Sequence, residues 1–169
     1  TQENQNLFAD LRRQIIAREF SHLNPRQQEG VLTTEGPLLL LAGAGSGKTT
    51  VLIHRITNLL KYGRASDSRE VPDYITENDL AFLQAYAQGG VFTQQEESRA
   101  RLLCTLEPAM PWQVIAITFT NKAAGELKAR LETAIGPDAN DIWAATFHSA
   151  CVRILRRNIE KLGFPSSFT

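Results

Sequence analysis

The 169-residue sequence predicts an α/β fold in which a parallel sheet carries helices on its faces. Two observations support this prediction. Three short apolar segments, at residues 38–41, 114–118 and 142–146, are each followed by a longer segment with helical features. A glycine-rich loop joins the first apolar segment to its helix, as in phosphate-binding folds. A chain of this length can enclose a hydrophobic core of its own.

The first third of the chain alternates between predicted helices and one predicted strand. Residues 5–20 have apolar side chains at helical spacing, and Asn24-Pro25 marks either a turn or the start of a second helix. Residues 38–41 are four leucines, which is the pattern of a strand buried on both faces. The helix after the loop is expected to run from Lys48 to about residue 60 and to end before Gly63.

The middle of the chain differs from its flanks. Residues 64–111 are polar, acidic and interrupted by prolines and glycines. Two short helices are expected there, one capped by Thr76 and one that begins with a capping box of Thr93 and Glu96. We therefore divide the chain into four segments and interpret the third as a surface insertion. The segments are residues 1–22, 23–63, 64–111 and 112–169.

The last segment returns to the alternation of strand and helix. Its two strands, at residues 114–118 and 142–146, are each expected to lead directly into a helix. Those helices are predicted to span residues 121–135 and 147–162, and each is followed by a glycine.

Composition excludes some classes of protein and leaves others open. The longest apolar run, residues 38–42, is far too short to cross a bilayer, and we expect a cytoplasmic protein without membrane contact. Cys104 and Cys151 stand in no metal or redox spacing, so we interpret both as small buried side chains. The formal net charge is zero, which gives no sign of a nucleic-acid partner by itself.

The glycine-rich loop matches a phosphate-binding loop. It comprises Ala42, Gly43, Ala44, Gly45, Ser46, Gly47, Lys48 and Thr49, and is followed by Thr50. Its glycines let backbone N–H groups turn towards an anion at the helix N-terminus. Lys48 can reach the β- and γ-phosphates, and the Thr49 hydroxyl can bind the Mg²⁺ that bridges them. The usual pattern has glycine where this chain has Ala42, a small residue that still fits. Kinases, GTPases and motors share such loops, so the reaction stays open.

Three further motifs narrow the choice of family. They are Leu23–Gln28, Ile117–Ala124 and Thr146–Ser149, the last followed by Cys151–Arg157. Together with the phosphate loop, and in this order, they resemble the Q motif and motifs I, Ia and Ib of superfamily-one DNA helicases of the UvrD/PcrA/Rep type. The resemblance covers residues 23–63 and 112–163. It implies a P-loop NTPase with a RecA-like parallel sheet.

The resemblance also implies an activity. The complete protein would be an ATP-dependent DNA helicase that uses ATP and Mg²⁺ to move 3′ to 5′ along single-stranded DNA and to unwind duplex junctions, in DNA repair or replication. Gln27 resembles the Q-motif glutamine, whose amide matches the donor and acceptor on adenine. Phe119 stands where these helicases stack a ring on a base, and Asn121, Thr146 and His148 resemble the polar contacts to the same strand.

Each of these residues has a plainer interpretation when it is taken without its motif. Gln27 would be a capping or surface glutamine, Thr146 a helix cap, Phe119 a core residue and His148 a satisfied core histidine. A basic cluster comprises Arg153, Arg156, Arg157 and Lys161. For the arginines of this cluster, a structural role and a strand contact both remain open.

The resemblance implies parts that the 169 residues do not contain. Family members carry the carboxylates that organise Mg²⁺ and water on an apolar strand ending Asp-Glu, after motif Ib. Later segments supply arginines that contact the γ-phosphate, central strands of the sheet, and a second motor domain. Residues 102–107 are apolar and end in Glu107, but the capping box before them makes them helical. We therefore expect an incomplete motor domain, with its C-terminal part missing, that hydrolyses ATP negligibly in isolation.

Three other functions are compatible with parts of the sequence. The chain could belong to the motor of a recombination helicase–nuclease, or to a non-motor protein that uses a helicase-like fold as a nucleotide-dependent switch. A small-molecule kinase would explain the phosphate loop but not residues 119–124 or 146–149.

Overall fold

A computed structural model describes residues 1–43 and 45–165 of the chain. The chain divides into two units, Thr1–Ala109 and Met110–Thr169. The first unit is helical, and the second combines helices with a two-stranded parallel sheet. The elements are α1 (Gln2–Glu19), α2 (Pro25–Leu32), α3 (Lys48–Tyr62), α4 (Glu77–Ala87), α5 (Gln94–Leu103), β1 (Ile115–Thr118), α6 (Asn121–Ile135), β2 (Trp143–Thr146) and α7 (Phe147–Asn158).

The helices of the first unit begin at residues that can cap them. Asn24 starts α2 through a capping box, in which its Oδ1 accepts the Gln27 N–H at 2.9 Å and Gln27 Oε1 accepts the Asn24 N–H at 3.1 Å. Thr76 and Thr93 cap α4 and α5 in the same manner. These helix starts confirm the sequence predictions, and Asn24-Pro25 proves to begin a helix.

The predicted strand at residues 38–41 is wrong. The structure assigns no regular secondary structure to these leucines, and Leu39 and Leu41 are 79% and 87% exposed. A strand forms only where a neighbouring strand takes up its backbone hydrogen bonds, and in the described residues of the first unit no strand lies beside this segment. The apolar run therefore indicated side chains that can be buried, but it did not identify a neighbouring strand to pair with.

The hydrophobic core of the first unit lies between α1 and the helices of residues 64–111. Phe8 and Ile16 of α1 share one buried cluster with Leu83 and Cys104. The segment that we expected on the surface therefore supplies part of the core, because the apolar face of α1 needs a surface to cover it and α4 provides one. Cys104 is fully buried as expected, and burial raises the pKa of its thiol to about 12. Cys151 is only half-buried.

One arginine is part of this core. Arg12 is fully buried, and its guanidinium donates to the carbonyl oxygens of Ser68 at 2.6 Å and Glu70 at 2.9 Å. Its guanidinium carbon lies 5.4 Å from the centre of the Phe8 ring. Burial lowers the pKa of Arg12, and the backbone carbonyls replace the hydration that the cation loses.

The segment after α3 begins and ends at neighbouring points. The N–H of Leu106 donates to the Tyr62 carbonyl, and the N–H of Arg64 donates to the Leu106 carbonyl, both at 3.0 Å. A Cβ atom at Gly63 would lie 2.0 Å from the Leu106 oxygen, so this close approach requires glycine. Residues 64–105 therefore begin and end at neighbouring points of the chain, while side chains between these points pack against α1.

The second unit is a β–α–β–α arrangement. β1 and β2 pair in parallel, with Ile115 opposite Trp143 and Thr118 opposite Thr146. The later two predicted strands and their helices are confirmed, although α7 ends at Asn158 and the chain continues as a 3₁₀ turn from Ile159 to Leu162. Throughout the described residues of both units, no helix combines the length and apolar character that crossing a bilayer requires.

Candidate functional site

The phosphate loop of the first unit leads into the N-terminus of α3. Gly45 and Gly47 have φ angles of 75° and 84°, which favour glycine, and Gly47 occupies the N-cap position of α3. No side chain caps this helix. The first-turn N–H groups, together with the positive end of the helix dipole, therefore form an anion site. Ala44, which the sequence analysis included in the loop, lies outside the described residues.

The ammonium of Lys48 lies over its own loop. Its Nζ donates to the carbonyl oxygens of Ala42 at 2.9 Å and Gly43 at 2.7 Å, and the Ser46 hydroxyl also donates to Gly43 at 2.7 Å. Both carbonyls are exposed and only partly neutralise a cation, so an anionic phosphate is a stronger partner for the ammonium. This arrangement keeps the lysine at the loop where a triphosphate would need it.

The Thr49 hydroxyl could share a magnesium ion with the phosphates of a bound nucleotide. Among residues 1–43 and 45–165, no group of three His, Cys, Asp or Glu side chains is arranged to hold a metal. Thr49 is exposed beside Lys48, and Thr50 is half-buried. Because Mg²⁺ typically takes one or two protein oxygens, several waters and the phosphates of a bound nucleotide, the Thr49 hydroxyl is a suitable protein ligand.

Gln27 contacts the phosphate loop directly. Its Nε2 donates to the Ser46 carbonyl at 3.1 Å, while its Oε1 accepts the Asn24 N–H at 3.1 Å. The same Nε2 would lie 2.7 Å from a Cβ atom at Gly47. The plain interpretation of Gln27 as a helix cap is therefore correct, but the same side chain also joins α2 to the loop.

An open cleft of about 560 Å³ lies beside Gln27 and Lys48. Its volume is in the range of small-ligand sites. Polar side chains such as Gln27 and Lys48 line it together with the exposed leucines of residues 38–41 and the apolar Val51. This combination of apolar walls and a few directed polar groups suits a flat base next to a phosphate chain.

In the second unit, the predicted nucleic-acid residues gather at one edge of the sheet. Thr118 and Thr146 are opposite each other at the carboxyl ends of two parallel strands, so the residues that follow them emerge at the same edge. Phe119 is 97% exposed and is therefore not a core residue. Asn121 and His148 are exposed in the first turns of α6 and α7.

Thr146 is the member of this group that is buried. Its Oγ1 accepts the Ser149 N–H at 3.2 Å and donates to the Ser149 hydroxyl at 2.9 Å. It therefore caps α7, and Thr120 caps α6 by accepting the Ala123 N–H at 3.1 Å. Two capped helix N-termini thus lie at the edge that carries Phe119 and His148.

Along α7, a shallow surface extends from His148. It is bordered by Ser149, Val152, Arg153, Arg156 and Arg157. The Arg153 guanidinium stacks over the Trp143 ring at 4.6 Å, which fixes the direction of its charge. Arg153 of the basic cluster thus makes a structural contact, and the cluster is continuous with the predicted strand-binding edge.

Sequence analysis missed the polar residues inside the helix that follows the loop. Arg55 and Asn58 point from α3 to backbone carbonyls at the end of α2. The signal was present in the sequence, because Val51, Arg55 and Asn58 are spaced to share one helix face. Two polar side chains on a face that packs against another helix indicate a buried hydrogen-bond partner.

Comparison with known proteins gives consistent matches. The family model described as the UvrD/REP helicase N-terminal domain matches residues 23–71 and 97–169. The chain is 44% identical over 149 residues to the ATP-dependent DNA helicase PcrA of Bacillus subtilis, and 41% identical over 148 residues to PcrA of Staphylococcus epidermidis. Each alignment covers 88% of this chain and 14% of the relative, so the chain spans about a seventh of their length.

Proposed function

The chain belongs to the UvrD/REP helicase family, and from this premise we propose that it forms the ATP-binding part of a DNA helicase. The complete protein would couple ATP hydrolysis to 3′-to-5′ movement along single-stranded DNA and would open duplex junctions, in DNA repair or replication. The observation that carries the proposal is the hydrogen bond from Gln27 to the phosphate loop at Ser46, which brings the residue proposed to recognise the base to the site proposed to hold the phosphates.

The preference for ATP is supported by the remaining hydrogen-bonding capacity of Gln27. An amide side chain has two N–H donors and two acceptor positions on its oxygen. The contacts to Ser46 and Asn24 use one donor and one acceptor. One of each is left, and this pair matches the donor and acceptor that adenine presents side by side. Guanine presents the O6 acceptor where adenine presents its N6 donor, so the site would favour ATP over GTP.

Triphosphate binding would move Lys48 from the carbonyls of its own loop to the phosphates. Its ammonium would neutralise the β- and γ-phosphates, while the amides of Gly45, Gly47 and the first turn of α3 would surround them. Thr49 would contribute its hydroxyl to Mg²⁺, which supplies further neutralisation of the phosphate charge.

Strand binding is supported by the exposed edge of the second unit. An almost fully exposed phenylalanine is costly in water and suits a surface on which a base stacks, independently of sequence. Asn121 and His148 would contact the backbone of the same strand. Thr146, only 7% exposed, would act as the cap that holds the first turn of α7 and with it His148.

A RecA-like sheet would require more strands than the two present in the second unit. Ile115 and Ile117 are about half exposed, at 52% and 48%, which leaves one face of β1 uncovered. The relatives are much longer than this chain, and we propose that further segments of a complete protein cover this face of β1. We propose that the Mg²⁺- and water-organising carboxylates come from there as well.

Enzyme assays on the full-length protein test this proposal. Single-stranded DNA is expected to stimulate ATP hydrolysis, and a duplex with a 3′ tail is expected to be unwound in preference to one with a 5′ tail. Lys48→Ala is expected to abolish both activities, whereas Lys61→Ala, which removes an ammonium that contacts Glu19, is expected to change neither. The 169-residue chain alone is expected to bind ATP and to hydrolyse it negligibly.

Each alternative outcome has a distinct meaning. A rate of ATP hydrolysis that single-stranded DNA does not raise would favour a nucleotide-dependent switch over a motor. Unwinding from 5′ tails alone would reverse the proposed polarity. Rapid hydrolysis by the 169 residues would show that the required carboxylates lie within them.

A further inference from the structure

The end of α2 that lies away from Gln27 is fastened to α3 by side chains. The last carbonyl groups of an α-helix have no partner within the helix and need one from elsewhere. In α2 and its C-cap these are Gly30, Val31, Leu32 and Thr33, and all four accept hydrogen bonds from side chains.

Two residues of α3 supply most of these bonds. Arg55 Nη1 donates to the carbonyl of Gly30 at 2.9 Å and to the carbonyl of Thr33. The buried Asn58 Nδ2 donates to Val31 at 3.0 Å. The positive guanidinium also lies at the C-terminal, negative end of the α2 dipole, where a cation is favourable.

A third side chain completes the set. Ser66 is 1% exposed, its hydroxyl donates to the Leu32 carbonyl at 2.7 Å, and it accepts from Asn58 Nδ2 at 3.1 Å. Asn58 therefore sits between α2 and Ser66, and its position is fixed from two sides.

Close packing between the two helices makes the fastening rigid. A Cβ atom at Gly30 would lie 3.2 Å from Val51 Cγ1 and 3.0 Å from Leu40 Cδ2, so α2 approaches α3 more closely than most residues allow. Val51 lies on the same face of α3 as Arg55 and Asn58. From Lys48 to Arg55 is two helical turns, or about 10 Å. One helix thus carries the phosphate lysine at its start and the fastening residues further along.

We propose that Arg55 and Asn58 are positioning residues for nucleotide recognition, which hold α2 so that the Gln27 amide meets the base of a nucleotide bound to the loop. This inference rests on the proposed function, because it needs Gln27 to contact the base. Gln27 is at the first turn of α2, and its reach to Ser46 is fixed only if the helix neither slides nor rotates on α3. The clamp formed by Arg55 and Asn58 prevents both movements.

The clamp should affect binding of the base and leave binding of the phosphates unchanged. Lys48 and the loop amides belong to α3 and its N-terminus, and they keep their places when α2 moves. We therefore expect Arg55→Ala to weaken ATP binding about fivefold to tenfold, the worth of one or two hydrogen bonds. The affinity for Mg²⁺–tripolyphosphate, which has no base, should stay within about twofold.

Calorimetric titration of the full-length protein with ATP, GTP and tripolyphosphate tests the clamp. Arg18→Ala is the matched control, because Arg18 also donates from its guanidinium to a backbone carbonyl, but to that of Tyr86 in α4, at 3.1 Å. Arg55→Ala should reduce ATP affinity relative to this control. In a Gln27→Ala background it should have no further effect, since both changes remove the same contact.

Arg55→Lys provides a second variant in case the alanine variant does not fold. A lysine ammonium keeps the charge but does not reproduce the geometry of a guanidinium, so ATP binding should fall only about twofold to threefold and tripolyphosphate binding should not fall. Equal losses for ATP and tripolyphosphate, or additive losses with Gln27→Ala, would overturn the clamp.

The failure of the clamp can be separated from failure of the proposed function. If Gln27→Ala lowers the ratio of ATP to GTP affinity but Arg55→Ala does not, the clamp is wrong and base recognition by Gln27 stands. If Gln27→Ala leaves that ratio unchanged, Gln27 does not recognise the base, and the clamp has no base contact to position.

Discussion

The side-chain amide of Gln27 donates to the backbone carbonyl of Ser46 at 3.1 Å, and this bond links a short helix to the loop in front of the next one. The loop and the helix differ in composition, and neither sequence by itself indicates that the two are in contact. It depends on a glycine at position 47, whose missing side chain leaves room for the amide.

Replacing Gly47 with alanine should therefore damage the site in two ways. Its φ of 84° strains any residue with a Cβ atom by about 1–2 kcal/mol, and that atom would lie 2.7 Å from Gln27 Nε2. We expect Gly47→Ala to weaken ATP binding by at least about tenfold, measured by calorimetric titration. Gly136→Ala is the control, because its φ is 70° but a Cβ atom there meets no neighbour. A normal ATP affinity in Gly47→Ala would argue against the Gln27 contact.

Phe119→Ala should separate strand binding from stability. Because the ring is 97% exposed, its loss should change the free energy of unfolding by less than about 0.5 kcal/mol. The affinity for a fluorescent oligothymidine, measured by anisotropy in the full-length protein, should fall by about 1–3 kcal/mol if a base stacks on the ring. Trp112→Ala is the comparison, since Trp112 is an exposed aromatic residue that precedes β1. Equal effects of the two variants would mean that exposed rings bind DNA without a specific site.

Leu83→Ala tests whether residues 64–111 are part of the core of the first unit. Leu83 is fully buried among side chains of α1, so its truncation should cost about 2–5 kcal/mol in the free energy of unfolding by denaturant. Val91, which lies between α4 and α5 and is fully exposed, should tolerate alanine with almost no change. A small effect of Leu83→Ala would mean that the segment is attached loosely.

The stabilisation that Asp79 gives the first unit should be lost in acid. Its Oδ1 accepts from the Arg99 guanidinium at 2.8 Å, and its Oδ2 accepts from the Thr76 hydroxyl and N–H. These contacts, first that with Arg99 and then those with Thr76, lower the pKa of the Asp79 carboxyl in the folded state. The unfolded chain then binds the proton more readily. The stabilisation is complete above the ordinary carboxyl pKa of about 4 and is lost as the pH falls through the lowered value.

Comparison of the wild-type protein with Asp79→Asn measures this contribution. At pH 7 the variant should be less stable by about 0.3–1 kcal/mol, the range for a carboxylate near a helix N-terminus and for a partly exposed ion pair. At pH 2 the difference between the two proteins should shrink. A difference that is constant over this pH range would mean that the carboxylate charge is not involved.

Local patterns predicted much of this structure because their causes are local. The capping residues Asn24, Thr76 and Thr93 all start helices, since each cap needs only a side-chain oxygen and the N–H group three residues later. The strand prediction at residues 38–41 failed for the opposite reason. A strand depends on hydrogen bonds to another segment, and the leucines themselves carry no information about which one is beside them.

Longer-range features of the site were also out of reach of the sequence. The burial of Arg12 depends on carbonyls that come more than fifty residues later, and the contacts of Arg55 depend on how two helices cross. The phosphate loop could be identified because its glycines and lysine are consecutive. The convergence of Phe119 and His148 at one sheet edge followed from the motifs, since parallel strands end at the same side.

Because Gly63 and Leu106 are in contact, the residues between them form a stretch whose two ends lie side by side. Ser66, near the start of this stretch, is bound to Asn58 of α3, so only the part of the stretch beyond Ser66 could be exchanged for a short turn without a change at α3. The family model passes over residues 72–96, within this stretch. The helices of this stretch, however, cover the apolar face of α1, and α1 also lies outside the residues that the family model matches. Loss of these helices would expose the apolar face of α1 to water, so any shortening of the stretch has to supply another cover for that helix.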